Sequence, residues 1–141
     1  MVKFPDEDLL IEWINLIERK GNALLPYLPL IDRLWFQEMI SCVEITAIAS
    51  SQVHQLDSIG AKLFYKISKN HRRIDGNKRS ALLVTVLLFI LNDYFLEMAP
   101  VEMYDFATWV ADSDAKKQEL IEEKIKEVFH KHLKTLPAEG E

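Results

Sequence analysis

The chain has 141 residues and a formal charge of −5, with 49% hydrophobic and 28% charged residues, four glycines and five prolines. That is enough chain for one domain with a real core, and the composition is ordinary for a soluble globular protein. The acidic total counts against a nucleic-acid binder, and the single Cys42 cannot form an internal disulfide, so a reducing cytoplasm is the expected setting.

Few β-branched runs and many Leu, Lys and Glu predict an all-α fold: a compact bundle of about six helices around one buried central helix, occupying residues 1–141 as a single domain. Met1–Asp6 has no apolar core of signal-peptide type. Pro5 and Asp6 announce a first helix to about Lys20, with Gly21 as its stop and Leu9, Leu10, Trp13, Ile14, Leu16 and Ile17 as its apolar stripe. Asn22 to Leu30 reads as a loop, apolar enough to fold back on the body. A second helix runs from Ile31 or Asp32 to about Ser50 and carries Leu34, Trp35, Met39, Ile40, Val43 and Ile48. Ser50–Gln55 is a break, with His54 read as a surface residue. A third helix, Asp57 to Asn70, turns Ile59, Leu63, Phe64 and Ile67 inward.

The fourth helix, Asn77 to about Phe95, is apolar nearly all round, which marks a helix surrounded by others. Its run is too short and too polar at its exit to span a bilayer. Pro100 opens a fifth helix, Val101 to Ala111, and Asp112-Ser113-Asp114 caps a sixth from Ala115 to about Leu133, with Leu120, Ile121, Ile125, Val128 and Phe129 on its face. His130 and His132, two apart, point in different directions and do not make a metal pair. The tail from about 135 to 141 reads as loose.

The chemistry concentrates in His71-Arg72-Arg73-Ile74-Asp75-Gly76-Asn77-Lys78-Arg79-Ser80, immediately before the central helix. A helix start has unpartnered N–H groups and partial positive charge, which together favour an anion. Gly76 permits close backbone approach, Asn77 is a good cap that can also donate to an oxyanion, and Lys78 and Arg79 add full charge. Asp75 would be repelled by phosphate unless a cation such as Mg²⁺ lay between them. His71 has the side chain suited to general-base work near neutrality. Five Lys or Arg residues fall between Lys69 and Arg79, against the sign of the whole chain, which favours a specific anionic ligand.

This spacing, His-x-x-x-Asp-Gly-Asn-Lys-Arg-Ser-Ala, resembles the signature of the Fic/Doc family, in particular its Doc (death-on-curing) branch. Lys62–Asn70 resembles the helix leading into the family motif. Leu87-Leu88-Phe89-Ile90-Leu91-Asn92-Asp93-Tyr94 resembles its hydrophobic exit ending in Asn-Gly-Tyr. The likeness covers residues 60 to about 112. The chain departs from the family pattern at Arg72, where Pro is usual, and at Arg73, where a Phe normally anchors the loop; Arg73 is therefore a possible accessory to the anion site. The resemblance implies a transferase with ATP as substrate and Mg²⁺ as cofactor. His71 would be the catalytic base, Asp75 the metal ligand, and Gly76, Asn77, Lys78 and Arg79 the phosphate-binding group.

The nucleotidyl-transferring branch of the family uses Gly after Asn and a second Arg further on. This chain has Lys78 and Leu82 there, as the Doc branch does. The resemblance therefore implies transfer of the terminal phosphate of ATP to a Ser or Thr hydroxyl of a target protein, a translation factor by family likeness. The alternatives are AMPylation and a degenerate module that only binds a partner protein. A small antitoxin is a further implied partner; a membrane is not. The letters Thr135-x-x-x-Glu139-Gly140 match an inhibitory motif of some Fic proteins, but Pro137 breaks helices and Leu82 replaces the arginine that such a glutamate pairs with. The resemblance also implies a flap that aligns the target's backbone, with Asn22–Leu30 and Gln52–Ser58 as its two candidate segments.

Overall fold

Helix α1 (Glu7–Arg19) starts where Asp6 caps it: the Asp6 Oδ1 accepts the Leu9 amide at 2.8 Å. The structure, a computed structural model, describes residues 2–19, 33–53, 55–70 and 77–137. The predicted loop from Asn22 to Leu30 and His54 lie outside the described residues. Helix α1 sends Leu10 and Ile14 into the core, and α2 (Arg33–Ala49) sends Trp35, Met39, Cys42, Val43 and Thr46. A turn at Ser50–Gln52, closed by the Val53 amide on the Ser50 carbonyl, leads towards α3 (Leu56–Ser68).

Helices α3 and α4 (Asn77–Leu91) lie against each other at the centre. Helix α3 touches α2, α4, α5 (Pro100–Ala111) and α6 (Gln118–His132); α4 touches α1, α3 and α5. No residue from Lys78 to Leu91 is fully exposed, as its all-round apolar sequence predicts. The central place is nonetheless shared, because α3 buries residues from Ile59 to Ser68 on several faces. The two helices approach closely at Gly60, where an added Cβ would stand 2.4 Å from Phe89 Cζ. Phe89, Phe129, Phe64 and Phe106 form a ring cluster with edge-on contacts of 5.3 Å (Phe89–Phe129) and 5.4 Å (Phe64–Phe129).

Helix α4 ends four residues before its predicted limit near Phe95. Asp93 takes a φ of 69°, the left-handed conformation that terminates helices, and its amide closes on the Ile90 carbonyl. The chain then forms strand β1 (Tyr94–Leu96), which pairs antiparallel with β2 (Leu133–Thr135), Tyr94 facing Thr135 and Leu96 facing Leu133. The Leu136 amide adds a bond to the Asp93 carbonyl at 2.9 Å. Thr135 and Leu136 are thus tied to the body, where the sequence reads a loose tail; residues 138–141 lie outside the described residues. A 3₁₀ turn (Ala115–Lys117), capped by the Asp114 carboxylate on the Lys116 amide, precedes α6.

Four side chains expected on inner faces point to solvent instead: Leu16, Leu34, Ile48 and Leu120 are exposed. Each lies on a helix whose opposite face fills the core. Among the described residues no helix is long and apolar enough to cross a membrane.

Candidate functional site at the start of the central helix

The described residues of α4 open at Asn77, within the predicted anion-binding stretch. Two tryptophans hold the first half of this helix. The Trp35 indole N–H donates to Ser80 Oγ at 2.9 Å, and both residues are buried. The Trp13 indole N–H donates to the Leu83 carbonyl at 3.1 Å. Trp13 is therefore a packing residue with a specific polar bond, linking α1 to α4. Together these bonds fix the start of α4 against both α1 and α2. Their warrant lies in pairs 45 and 70 residues apart, which no local sequence pattern reveals.

Lys78 and Arg79, on the first turn, are half-buried. The Lys78 ammonium lies 5.7 Å from the centroid of the Tyr104 ring on α5. Tyr104, half exposed, thus stands beside Lys78 of the predicted phosphate-binding group, a contact between residues 26 apart that the sequence does not announce. Of the other predicted site residues, His71, Arg73, Asp75 and Gly76 lie outside the described residues. Asn77 is described only as the residue that opens α4.

No protein-family model matches the chain, and no curated protein does.

Lys69, counted in the basic cluster by its place in the sequence, has another task. Its ammonium donates to the carbonyls of Ala111, at 3.0 Å, and Ser113, at the C-terminal end of α5. That is the negative end of a helix, where a cation is stabilising. Lys69 therefore joins α3 to the end of α5 and drops out of the anion-binding group. The cause is a tertiary contact 42 and 44 residues down the chain.

A groove of about 710 Å³ opens beside the end of α3, lined by Glu38, Cys42, Thr46, Tyr65, Lys66 and Asn70 among others. Asn70 is the last described residue before His71. Burial pushes the Tyr65 hydroxyl above its usual range, and the carboxylates of Glu122 and Asp114 push it the same way. A second groove, of about 880 Å³, lies at the far end of α4 between Asp57, Asn92, Tyr94 and His130. His130 Nδ1 meets Asp57 Oδ2 at 3.0 Å, and His132 Nδ1 meets the Glu97 carbonyl at 3.0 Å. The two histidines therefore have separate partners. Among the described residues no three His, Cys, Asp or Glu side chains converge as a metal ligand set.

Proposed function

We propose that this chain is a Doc-like transferase that moves the terminal phosphate of ATP to a Ser or Thr hydroxyl of a target protein. The observation that carries this reading is the stretch His71–Ser80, with its residue types at family spacing and its last four residues, Asn77–Ser80, in α4. Two further features support it. The start of α4 is braced by Trp13 and Trp35, and a braced helix start is what positioning a triphosphate needs. Asp93 is left-handed at the position where the family's exit motif has glycine, the residue that adopts that conformation without cost.

In this reading His71 takes the proton from the target hydroxyl as its oxygen attacks the γ-phosphorus. The bond to the β-phosphate oxygen breaks and ADP leaves. The amides near Gly76 and Asn77, with Lys78 and Arg79, accept the charge that spreads over the phosphate oxygens. Lys78 gives up a contact with Tyr104 worth on the order of 0.5–1 kcal/mol to do so, far less than a charge-assisted bond to phosphate returns. One carboxylate, Asp75, suits Mg²⁺, which takes few protein ligands and completes its shell with phosphate oxygens and water. When bound, Mg²⁺ would offset phosphate charge. The target would be a translation factor, the setting the cytoplasm, and a small antitoxin a further partner.

Purified protein with cell extract and γ- or α-labelled ATP tests the proposal. Transfer of the γ label to protein, lost in His71→Ala, is the expected result. Label from the α position would replace phosphorylation by AMPylation. The second reading, a module that binds a partner without chemistry, rests on Arg72 and Arg73 at the positions of the loop-anchoring Pro and Phe. No label from either position, with growth inhibition unchanged by His71→Ala, would favour that module.

A further inference from the structure

Helix α5 has two unlike faces. Its inner side carries Met103, Phe106, Ala107 and Val110, with Phe106 stacked on Phe64 at 5.7 Å. Its outer side carries Val101, Tyr104 and Trp109, which are 70%, 50% and 44% exposed. At 3.6 residues per turn, Val101, Tyr104, Asp105, Thr108, Trp109 and Asp112 share one side of the helix. Three large apolar groups on one short surface helix form a patch of the kind that marks an interaction site.

The charged residues of the helix itself have one sign. Glu102, Asp105 and Asp112 are exposed, and Pro100–Asp112 contains no Lys, Arg or His. Among the described residues, Lys78 lies over the Tyr104 ring and Lys69 donates to the Ala111 and Ser113 carbonyls. Tyr104 thus already receives an ammonium on its face.

We infer that the outer face of α5 docks a basic amphipathic helix of a partner protein, its apolar side chains on Val101, Tyr104 and Trp109 and its Lys or Arg groups on Asp105 and Asp112. The spacing suits helix-on-helix packing, and the flanking carboxylates select the charge of the partner. Nucleic acid and anionic membrane carry the wrong sign. A second copy would set the same carboxylates against each other. The exposed apolar residues of α2, Leu34, Ile45 and Ile48, have no comparable charge pattern to name an occupant. The inference is independent of the phosphoryl-transfer reading and stands or falls separately.

The test uses the full chain and a model helical peptide of about 15 residues with Leu at helical spacing and Lys elsewhere. Binding is followed by amide chemical shifts and by tryptophan emission, for which Trp109 is the exposed reporter beside the half-buried Trp13 and the buried Trp35. Shifts should concentrate on Val101–Asp112. The pair Val101→Ser and Asp105→Lys should weaken binding by about tenfold or more, with circular dichroism unchanged. Reversing Glu119 and Glu123, exposed on α6, should leave binding as it was. Failure of the Lys peptide to bind, equal binding by all variants, or preference for a Glu version of the peptide would overturn the inference. So would tighter binding to phosphatidylserine vesicles, or a dimer in sedimentation that the double variant abolishes.

Discussion

Replacing Gly60 by Ala should destabilise the fold, although the same change in an exposed helix is favourable. The added Cβ would lie 2.4 Å from Phe89 Cζ, 2.5 Å from Phe89 Cε1 and 3.6 Å from Phe129 Cδ2. Carbon atoms in contact prefer about 3.5–4.0 Å, so the Phe89 ring must retreat by roughly 1 Å. It has nowhere to go: Phe89 is fully buried and stands edge-on to Phe129, which is edge-on in turn to Phe64. Overpacking of this kind costs about 1–3 kcal/mol or more, while alanine returns about 1 kcal/mol of helix propensity. Because the clash falls on two ring atoms in a closed aromatic cluster, the upper end of the cost applies. The net loss should be about 2 kcal/mol.

Urea unfolding followed by tryptophan fluorescence measures it, with the midpoint falling at an unchanged slope. A Phe89→Leu change supplies the control. Alone it costs about 1–2 kcal/mol through lost ring contacts; combined with Gly60→Ala it should cost less than the sum of the two, because the clashing atoms are gone. A stabilised Gly60→Ala protein, or strict additivity in the pair, would refute the argument that α3 and α4 meet at this point.

Other substitutions probe the same frame. Asp93→Gly should stabilise by about 0.5–1 kcal/mol, since glycine takes a φ of 69° freely, and Asp93→Val should destabilise by at least about 1 kcal/mol; thermal midpoints on both sides of the wild type check the pair. Asn92 exchanges two bonds with the backbone of Lys3, donating to its carbonyl at 2.8 Å and accepting its amide at 2.7 Å, so Asn92→Ala should cost about 1–2 kcal/mol and lower the protection of the Lys3 amide in hydrogen exchange. Trp35→Phe should leave the Ser80 hydroxyl buried without this donor, with a loss of about 1–3 kcal/mol by urea unfolding, and Trp35→Phe with Ser80→Ala should recover part of it. The raised Tyr65 hydroxyl stays neutral in the fold at pH values where it ionises in the unfolded chain. The unfolded state then binds fewer protons, so stability is full below pH 10 and falls as pH rises beyond it. Tyr65→Phe should flatten that alkaline decline.

The helices were legible because their determinants are local. The Asp6 cap, the Pro100 start, the apolar stripes and the all-round apolar run of residues 81–91 each act within a few turns of chain. Strands β1 and β2 left no such trace. Each is three residues long, too short for alternation to register, and their pairing joins Tyr94 to Thr135 across the whole length of α5 and α6. The end of α4 was misplaced for a related reason: Asp93 performs a glycine's role, and a non-glycine residue at positive φ is seldom announced by sequence. At the site, residue types and spacing selected the stretch His71–Arg79. They did not separate Lys69, which serves carbonyls of α5, from Lys78, which serves the ring of Tyr104. Chemically alike residues drawn together by sequence are divided by tertiary contacts.

Those contacts share a purpose that bears on how the candidate site is built. The helix that begins at Asn77 has bonds from α1 through Trp13, from α2 through Trp35 and from the N-terminal segment through Asn92, while α5 touches its first turn through Tyr104. The brace at each end is polar and directional, and between them the helix is held by close-packed apolar groups that resist displacement. Apolar packing alone fixes a helix poorly against sliding along its axis, whereas a hydrogen bond at a named carbonyl or hydroxyl fixes its register. The indole of Trp35 reaches Ser80 at the end of the first turn, just where amides facing a triphosphate would have to be held still. The Trp35→Phe variant therefore carries a second expectation under the proposed function. Nucleotide affinity, measured as the concentration dependence of label transfer, should fall along with stability. A purely structural tryptophan would lower stability and leave the affinity of the folded fraction unchanged.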